Sequence, residues 1–106
     1  MTDYLLVYSG GKMAETPEEQ ASVMQAWGAW FGELGDKLKD GGNPTTGNAK
    51  GIDSDGSVMD VPATMMASGY SIISADSMDN AVAMAQKCPV LMGGARIVVY
   101  ETMKVM

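Results

Sequence analysis

The stretch 69-GYSIISADSMDNAVAMAQKCP-89 has the pattern of a β-strand that runs directly into an α-helix. Residues 70–75 are β-prone, and Asp76 or Ser77 is a natural helix N-cap. The helix, expected to run to about Lys87, has its apolar residues at helical spacing: Met78, Ala81, Val82 and Ala85. This pattern predicts a layered protein in which an amphipathic helix covers one face of a sheet.

The same order occurs near the start of the chain. Residues 3–9 form a strand candidate that ends at a Gly-Gly pair, and Thr16 then caps a helix. Pro17 at the first helical position and Glu19 in a Thr-x-x-Glu capping box strengthen this start. The helix, expected to run to about Asp40, has one broad apolar stripe: Val23, Met24, Trp27, Trp30, Phe31, Leu34 and Leu38.

The middle and the end of the chain supply the remaining strands. Strands at about 47–52 and 57–60 flank the turn 53-DSDG-56, a strong hairpin signal, and a final strand covers 95–103. The order is therefore strand, helix, strand–hairpin–strand, strand, helix, strand, in which the extra hairpin elaborates a β-α-β-β-α-β plan. We predict an α+β, ferredoxin-like fold in a single domain spanning 1–106.

This plan places both helices on one face of the sheet and leaves the other face bare. We expect the aliphatic residues of each strand to face the helices, namely Leu5, Val7, Ile73, Ala75, Ile97 and Val99. The bare face would then hold all four tyrosines and Arg96. Such a surface predicts a homodimer formed by sheet-to-sheet packing. It is either a plain interface, where Tyr and Arg are common, or an interface with a ligand pocket inside.

Composition excludes several classes of function. Seven Lys and Arg against 13 Asp and Glu give a net charge of −6, which argues against a nucleic-acid partner. The chain has no His, and its single Cys88 excludes an internal disulfide and an all-cysteine metal site. No apolar run approaches the roughly 20 residues that span a bilayer. We expect a cytoplasmic protein without metal, cofactor, nucleic-acid partner or membrane partner, and we expect its 11 Met mainly to fill the core.

Five segments together resemble a known family: 4-YLLVYSG-10, 27-WGAWFGELGDKLKDGGNP-44, 55-DGSVMDVP-62, 69–89 and 93-GGARIVVYE-101. They resemble the YCII-related (DGPF-type) domain family over nearly the full length. The resemblance implies a dimeric α+β barrel, in which two ferredoxin-like sheets pack face to face around a cleft. The family's DGPF segment reads 60-DVPA-63 here, and the His–Asp pair proposed as catalytic in some members is absent. Whether the protein is an enzyme therefore stays open.

Asp60 is the first candidate catalytic residue, because the resemblance puts its loop near the cleft and a partly desolvated carboxylate can act as a base. The alternative is that Asp60 caps the turn before Pro62. Tyr70 is the candidate proton donor. Arg96 is a candidate anchor for an anionic ligand, with a surface ion pair as the alternative.

Tyr8 and Tyr100 are candidate ligand-binding residues, with interface packing as the alternative. Trp30 is a candidate at the pocket rim, with simple core packing as the alternative. We expect a YCII-like small-molecule-binding protein with an enzyme-like cleft at or near the dimer interface. One alternative is a cofactor-free lyase or isomerase that acts on a small aromatic substrate with Asp60 as base. A second is a non-catalytic assembly or regulatory module.

Overall fold

A computed structural model describes residues 1–12 and 14–105. Its helices and strands are β1 Thr2–Ser9, α1 Pro17–Leu34, β2 Leu38–Asp40, β3 Lys50–Ile52, β4 Val58–Asp60, β5 Ala67–Ala75, α2 Met78–Ala85 and β6 Arg96–Glu101. Short 3-10 turns follow α1, precede β5 and precede β6. Four strands form one antiparallel sheet in the order β2-β5-β1-β6. The other two, β3 and β4, form a separate two-stranded hairpin. This is the ferredoxin-like α+β fold with an added hairpin.

Both helices contribute to a core on one face of the sheet. The buried cluster consists of Tyr4, Leu6, Tyr8, Trp30, Leu34, Ile73, Ala75, Ala81, Ala85 and Cys88. The smallest principal dimension is 19 Å, as expected for one layer of helices on one sheet. The second face of the sheet has no layer over it within the described chain.

Both helix starts predicted from the sequence are confirmed. The Thr16 side chain accepts a hydrogen bond from the backbone N–H of Glu19 at 3.1 Å, and the Glu19 carboxylate accepts one from the N–H of Glu15 at 3.0 Å. Ser77 caps α2 by accepting from the N–H of Asn80 at 3.2 Å. Side-chain acceptors thus satisfy several of the N–H groups that a helix leaves unpaired at its start. Among the described helices, none is long and apolar enough to cross a membrane.

The end of α1 differs from the prediction. The helix ends at Leu34 rather than near residue 40, because Gly35 takes a positive φ of 58° that a continuing helix cannot use. After a 3-10 turn, Leu38 pairs with Ile73, and residues 38–40 become the edge strand β2. The edge strand β2 thus lies in the segment that the sequence predicted to be the end of α1.

The orientation of β1 also differs from the prediction. Tyr4, Leu6 and Tyr8 face the helices and are buried, whereas Leu5 and Val7 face the other side. The pairing explains this choice: Tyr8 lies opposite Gly69, which has no side chain to obstruct the aromatic ring. The predicted orientations of β5 and β6 agree with their burial patterns.

The bare face therefore carries two of the four tyrosines rather than all of them. One row across the strands is Tyr70, Val7 and Val98, and the next is Ile72, Leu5 and Tyr100. Arg96 lies beyond the first row, opposite Ser9. We call these seven residues, namely Leu5, Val7, Tyr70, Ile72, Arg96, Val98 and Tyr100, the uncovered face.

Candidate functional site

A cavity of about 280 Å³ lies where the C-terminal half of α1 meets one end of the sheet. It is lined by Tyr8, Trp27, Phe31, Gly41, Gly42, Asn43, Pro44, Ser68, Gly69, Tyr70 and Val90. The lining comes from α1, the end of β1, the start of β5, the connection that follows β2 and the 3-10 turn before β6. Ligand sites are commonly concave and mainly apolar, with a few polar groups, and this cavity has that composition.

Aromatic rings form the wall on the α1 side. The Trp27 ring packs edge-on against Tyr8, with centroids 5.9 Å apart, and lies 5.6 Å from Phe31. Such edge-to-face and tilted contacts are the arrangements that aromatic quadrupoles favour. The rings hold one another in place, so the wall is rigid and presents flat apolar surface to the cavity.

The connection 41-GGNP-44 forms a second part of the lining, in which Gly41 lies against the Phe31 ring, and it crosses close to β5. Pro44 makes an isolated β-bridge with Gly69, and the N–H of Thr45 donates to the carbonyl of Ser68 at 2.9 Å. Gly42 has a φ of 75°, and a Cβ there would overlap the carbonyl oxygen of Tyr70. Only glycine fits at this position, because both the backbone conformation and the close approach exclude a side chain.

A chain of buried hydrogen bonds lies behind the aromatic wall. The Tyr8 hydroxyl donates to Ser71 Oγ at 2.8 Å, and the Ser71 hydroxyl donates to the carbonyl of Gly41 at 2.7 Å. The thiol of Cys88 donates to the Tyr8 oxygen over 3.6 Å. Each donor in the chain is used once, so this polar cluster stabilises the cavity wall instead of reacting with a ligand.

Burial changes the acid–base character of two groups in that chain. Burial raises the pKa of the Tyr8 phenol above its usual range, and the Cys88 contact acts in the same direction. Burial also raises the pKa of the Cys88 thiol. Both groups therefore keep their protons at neutral pH, and neither is an activated base or nucleophile.

Three polar side chains of the lining make no hydrogen bond to the rest of the described chain: Asn43, Ser68 and Tyr70. They can therefore bind water or a ligand. The Asn43 amide and the two hydroxyls each offer both a donor and an acceptor.

Asp60 does not lie at this cavity. It is the last residue of β4, its side chain is 90% exposed, and its carboxylate pairs with the ammonium of Lys50 at 2.6 Å across the hairpin. The expected cleft position, and with it a desolvated carboxylate, is absent from the single chain. An exposed ion pair of this kind contributes little to stability.

Arg96, Tyr100 and Trp30 also lie away from the cavity. Arg96 and Tyr100 belong to the uncovered face, where Tyr100 is 50% exposed, and neither lines the cavity. Arg96 forms no ion pair within residues 1–12 and 14–105, so its expected surface pairing is not seen there. Trp30 is buried in the core, and its indole N–H donates to the carbonyl of Met84 at 3.1 Å.

The cavity contains Tyr8 and Tyr70 from the residues singled out in the sequence, although Tyr8 reaches it from the helix side of the sheet. Sequence reasoning assigned Trp27 to the core, because its helical spacing matches that of Trp30 and Phe31. No role was predicted for the connection 41–44. Its Gly-Gly pair was the available signal, since adjacent glycines often mark a close backbone approach. In the described ranges, no three His, Cys, Asp or Glu residues lie close enough together to hold a metal ion.

Comparison with known proteins adds information on the fold. No protein-family model matches the chain, and no curated protein matches it significantly. Among solved structures, the chain is similar to 5-chloro-2-hydroxyhydroquinone dehydrochlorinase from Burkholderia phenoliruptrix, solved in complex with 2,5-dihydroxybenzoquinone. The identity is 21% and the TM-score 0.55, over 95% of this chain and 93% of the other. The similarity extends over almost the whole of both chains and supports the fold described above.

Proposed function

We propose that this protein is a YCII-related, cytoplasmic, small-molecule-binding protein whose ligand occupies the cavity beside α1. The observation that carries the proposal is the cavity itself, which joins a rigid aromatic wall to three polar side chains without protein partners. The bound quinone in the structurally similar dehydrochlorinase lends support at the level of the fold. The one thiol, buried at Cys88, suits a reducing compartment.

Binding is favoured over catalysis by the chemistry of the lining. General acid–base catalysis needs a group within hydrogen-bond reach of the substrate and with a pKa near neutral pH. Among the lining residues, none is a carboxylate, lysine or arginine, and burial keeps the Tyr8 phenol protonated. A lyase with Asp60 as base would require this exposed carboxylate to approach the cavity from another chain.

The uncovered face supports a homodimer formed by sheet-to-sheet packing. Two rows of apolar and tyrosine side chains cross three strands there, and Val98 is 47% exposed in the single chain. Contiguous apolar surface of this kind on a small protein commonly marks an interface. Tyr70 belongs both to this face and to the cavity lining, so a second copy would lie next to the proposed ligand site.

The dimer can be tested with a charge placed on the uncovered face. Val98→Lys should convert the protein to a monomer in sedimentation velocity, because each copy would have to bury an unpaired lysine in the sheet-to-sheet interface. Met92→Lys is the matched control, since Met92 is 80% exposed on the 3-10 turn before β6. A wild-type chain that sediments as a monomer at high micromolar concentration would overturn the dimer.

The ligand site can be tested with fragments and a matched pair of tyrosine variants. A set of one-ring and two-ring fragments, both charged and uncharged, is screened by saturation-transfer NMR. We expect hits whose binding is lost in Tyr70→Ala and kept in Tyr100→Ala, because both residues face the uncovered side but only Tyr70 lines the cavity. If no fragment binds the wild type, or if both variants bind normally, the proposed site is wrong.

A further inference from the structure

The cavity lining contains no Asp, Glu, Lys or Arg side chain. Burial raises the pKa of the Tyr8 phenol, which holds it in its neutral form. The ion pairs of the described chain, Lys50 with Asp60 and Lys87 with Glu33, involve no lining residue. A carboxylate or ammonium bound here would find no counter-ion in the lining of the single chain, so any hydration that it lost would go uncompensated, which disfavours its binding.

The size and the walls of the cavity favour one substituted ring. About 280 Å³ is nearly twice the roughly 150 Å³ of an apolar cavity that holds benzene. The excess volume accommodates two or three small substituents. Trp27, Phe31 and Tyr8 present rings in mutual edge-to-face or tilted contact, and a planar guest gains offset stacking or edge contacts against them.

The polar groups of the lining indicate which substituents the ring of the ligand carries. Asn43, Ser68 and Tyr70 are neutral and can both donate and accept, so they match hydroxyl, carbonyl or amide groups. We infer that the site selects an uncharged single-ring compound that carries such substituents and rejects its charged analogues. This inference rests on the proposed ligand site and adds the chemical class of its occupant.

Single-ring probes of similar size that differ in charge test the inference. Uncharged benzamide is compared with the anion benzoate and the cation benzylammonium. Each is titrated at pH 7 into 15N-labelled protein, with the amides of Gly42 and Gly69 as reporters of cavity binding. We expect benzamide to bind at least about tenfold more tightly than either ion.

A second comparison tests the polar contact. Asn43→Ala should weaken benzamide binding about threefold to tenfold, because the amide of the ligand loses a hydrogen-bond partner. Asn48→Ala is the matched control on the same connection, outside the cavity lining, and should bind benzamide as the wild type does. Equal weakening by both variants would count against the assigned polar contact.

The outcomes separate the inference from the proposed function. If charged probes shift Gly42 and Gly69 at equal or lower concentration than uncharged ones, the selectivity is wrong while the site remains. The same holds if the fragments that bind most tightly have two fused rings or no polar substituent. If neither these probes nor the screened fragments perturb the cavity, the proposed ligand site itself fails.

Discussion

The cavity end of the sheet and the hairpin of β3 and β4 differ in how their residues are held. At the cavity, the connection 41–44 is bridged to β5, and Tyr8, Ser71 and Gly41 form a buried hydrogen-bond chain. The hairpin pairs only with itself among the strands, and Ile52 and Asp60 are largely exposed on it. The hairpin has the candidate carboxylate, whereas the cavity has the concave, mainly apolar lining. A carboxylate becomes a useful base only where its surroundings alter its solvation, which the hairpin of a single chain does not do.

The sharpest test of the cavity end is Gly42→Ala. The new Cβ would overlap the Tyr70 carbonyl oxygen and would sit on a residue with positive φ, so the chain must move or fail to fold. We expect a loss of about 3–5 kcal/mol in the free energy of unfolding, measured by urea denaturation.

Gly28→Ala is the control for that substitution. Gly28 lies in the middle of α1 with nothing within 4 Å of an added Cβ, so alanine should stabilise the protein by about 0.5–1 kcal/mol. A Gly42→Ala protein as stable as the wild type would contradict the close approach of the connection to β5.

Alkaline pH should weaken the buried chain at the cavity. The thiol and phenol of the unfolded chain ionise near pH 8.5 and 10, whereas burial raises the pKa of both Cys88 and Tyr8 in the folded protein. The folded state therefore holds more protons above about pH 8.5. The free energy of unfolding should then fall as the pH rises, by at most about 1.4 kcal/mol per pH unit for each group.

Urea titrations from pH 7 to 11 measure this effect, and two variants separate its parts. Cys88→Ala should remove the earlier part of the decline. Tyr8→Phe should remove only a share of the later part, because burial also raises the pKa of Tyr4. At pH 7, Tyr8→Phe should also destabilise the protein by about 1–2 kcal/mol, since Ser71 Oγ loses its hydrogen-bond donor and the Cys88 thiol loses its acceptor. A stability profile that stays flat to pH 11 would show that these groups are not buried as described.

The smallest effect is expected on the hairpin. Asp60→Asn removes the exposed ion pair with Lys50, and the free energy of unfolding should change by less than about 0.5 kcal/mol. Fragment binding at the cavity should also remain unchanged, with Asp55→Asn on the adjacent turn as a comparison. If Asp60→Asn lost fragment binding and Asp55→Asn did not, Asp60 would belong to the ligand site, and the result would favour the lyase alternative.

Much of the fold could be predicted because local signals determine it. The caps at Thr16 and Ser77 and the turn before Ser57 act within a few residues, and the structure contains all three. β2 was missed because Leu34 and Leu38 continue the helical spacing past Gly35. The orientation of β1 could not be read locally, since adjacent Leu5 and Leu6 are equally apolar and the space opposite Tyr8 comes from Gly69, sixty residues further on.

The candidate site was harder to predict than the fold for the same reason. Trp27 and Trp30 lie on the same apolar stripe, and nothing in their spacing tells which faces a cavity and which donates to Met84. The role of Gly42 depends on Tyr70, which only the tertiary structure brings beside it. Asp60 was predicted because the family resemblance put its loop near the cleft, whereas the 90% exposure of its side chain depends on where the hairpin lies in the folded chain.

The position of β1 in the sheet has a consequence for how the chain folds. β1 is made first but lies between β5 and β6, so both of its neighbours come from residues 67–101. Almost every sheet contact of β1 therefore closes a long loop, which slows folding compared with a protein of local contacts. During synthesis, both edges of β1 stay unpaired until β5 has been made, and one edge stays unpaired until β6 has been made. Unpaired strand edges of this kind favour aggregation, and in that interval they are open.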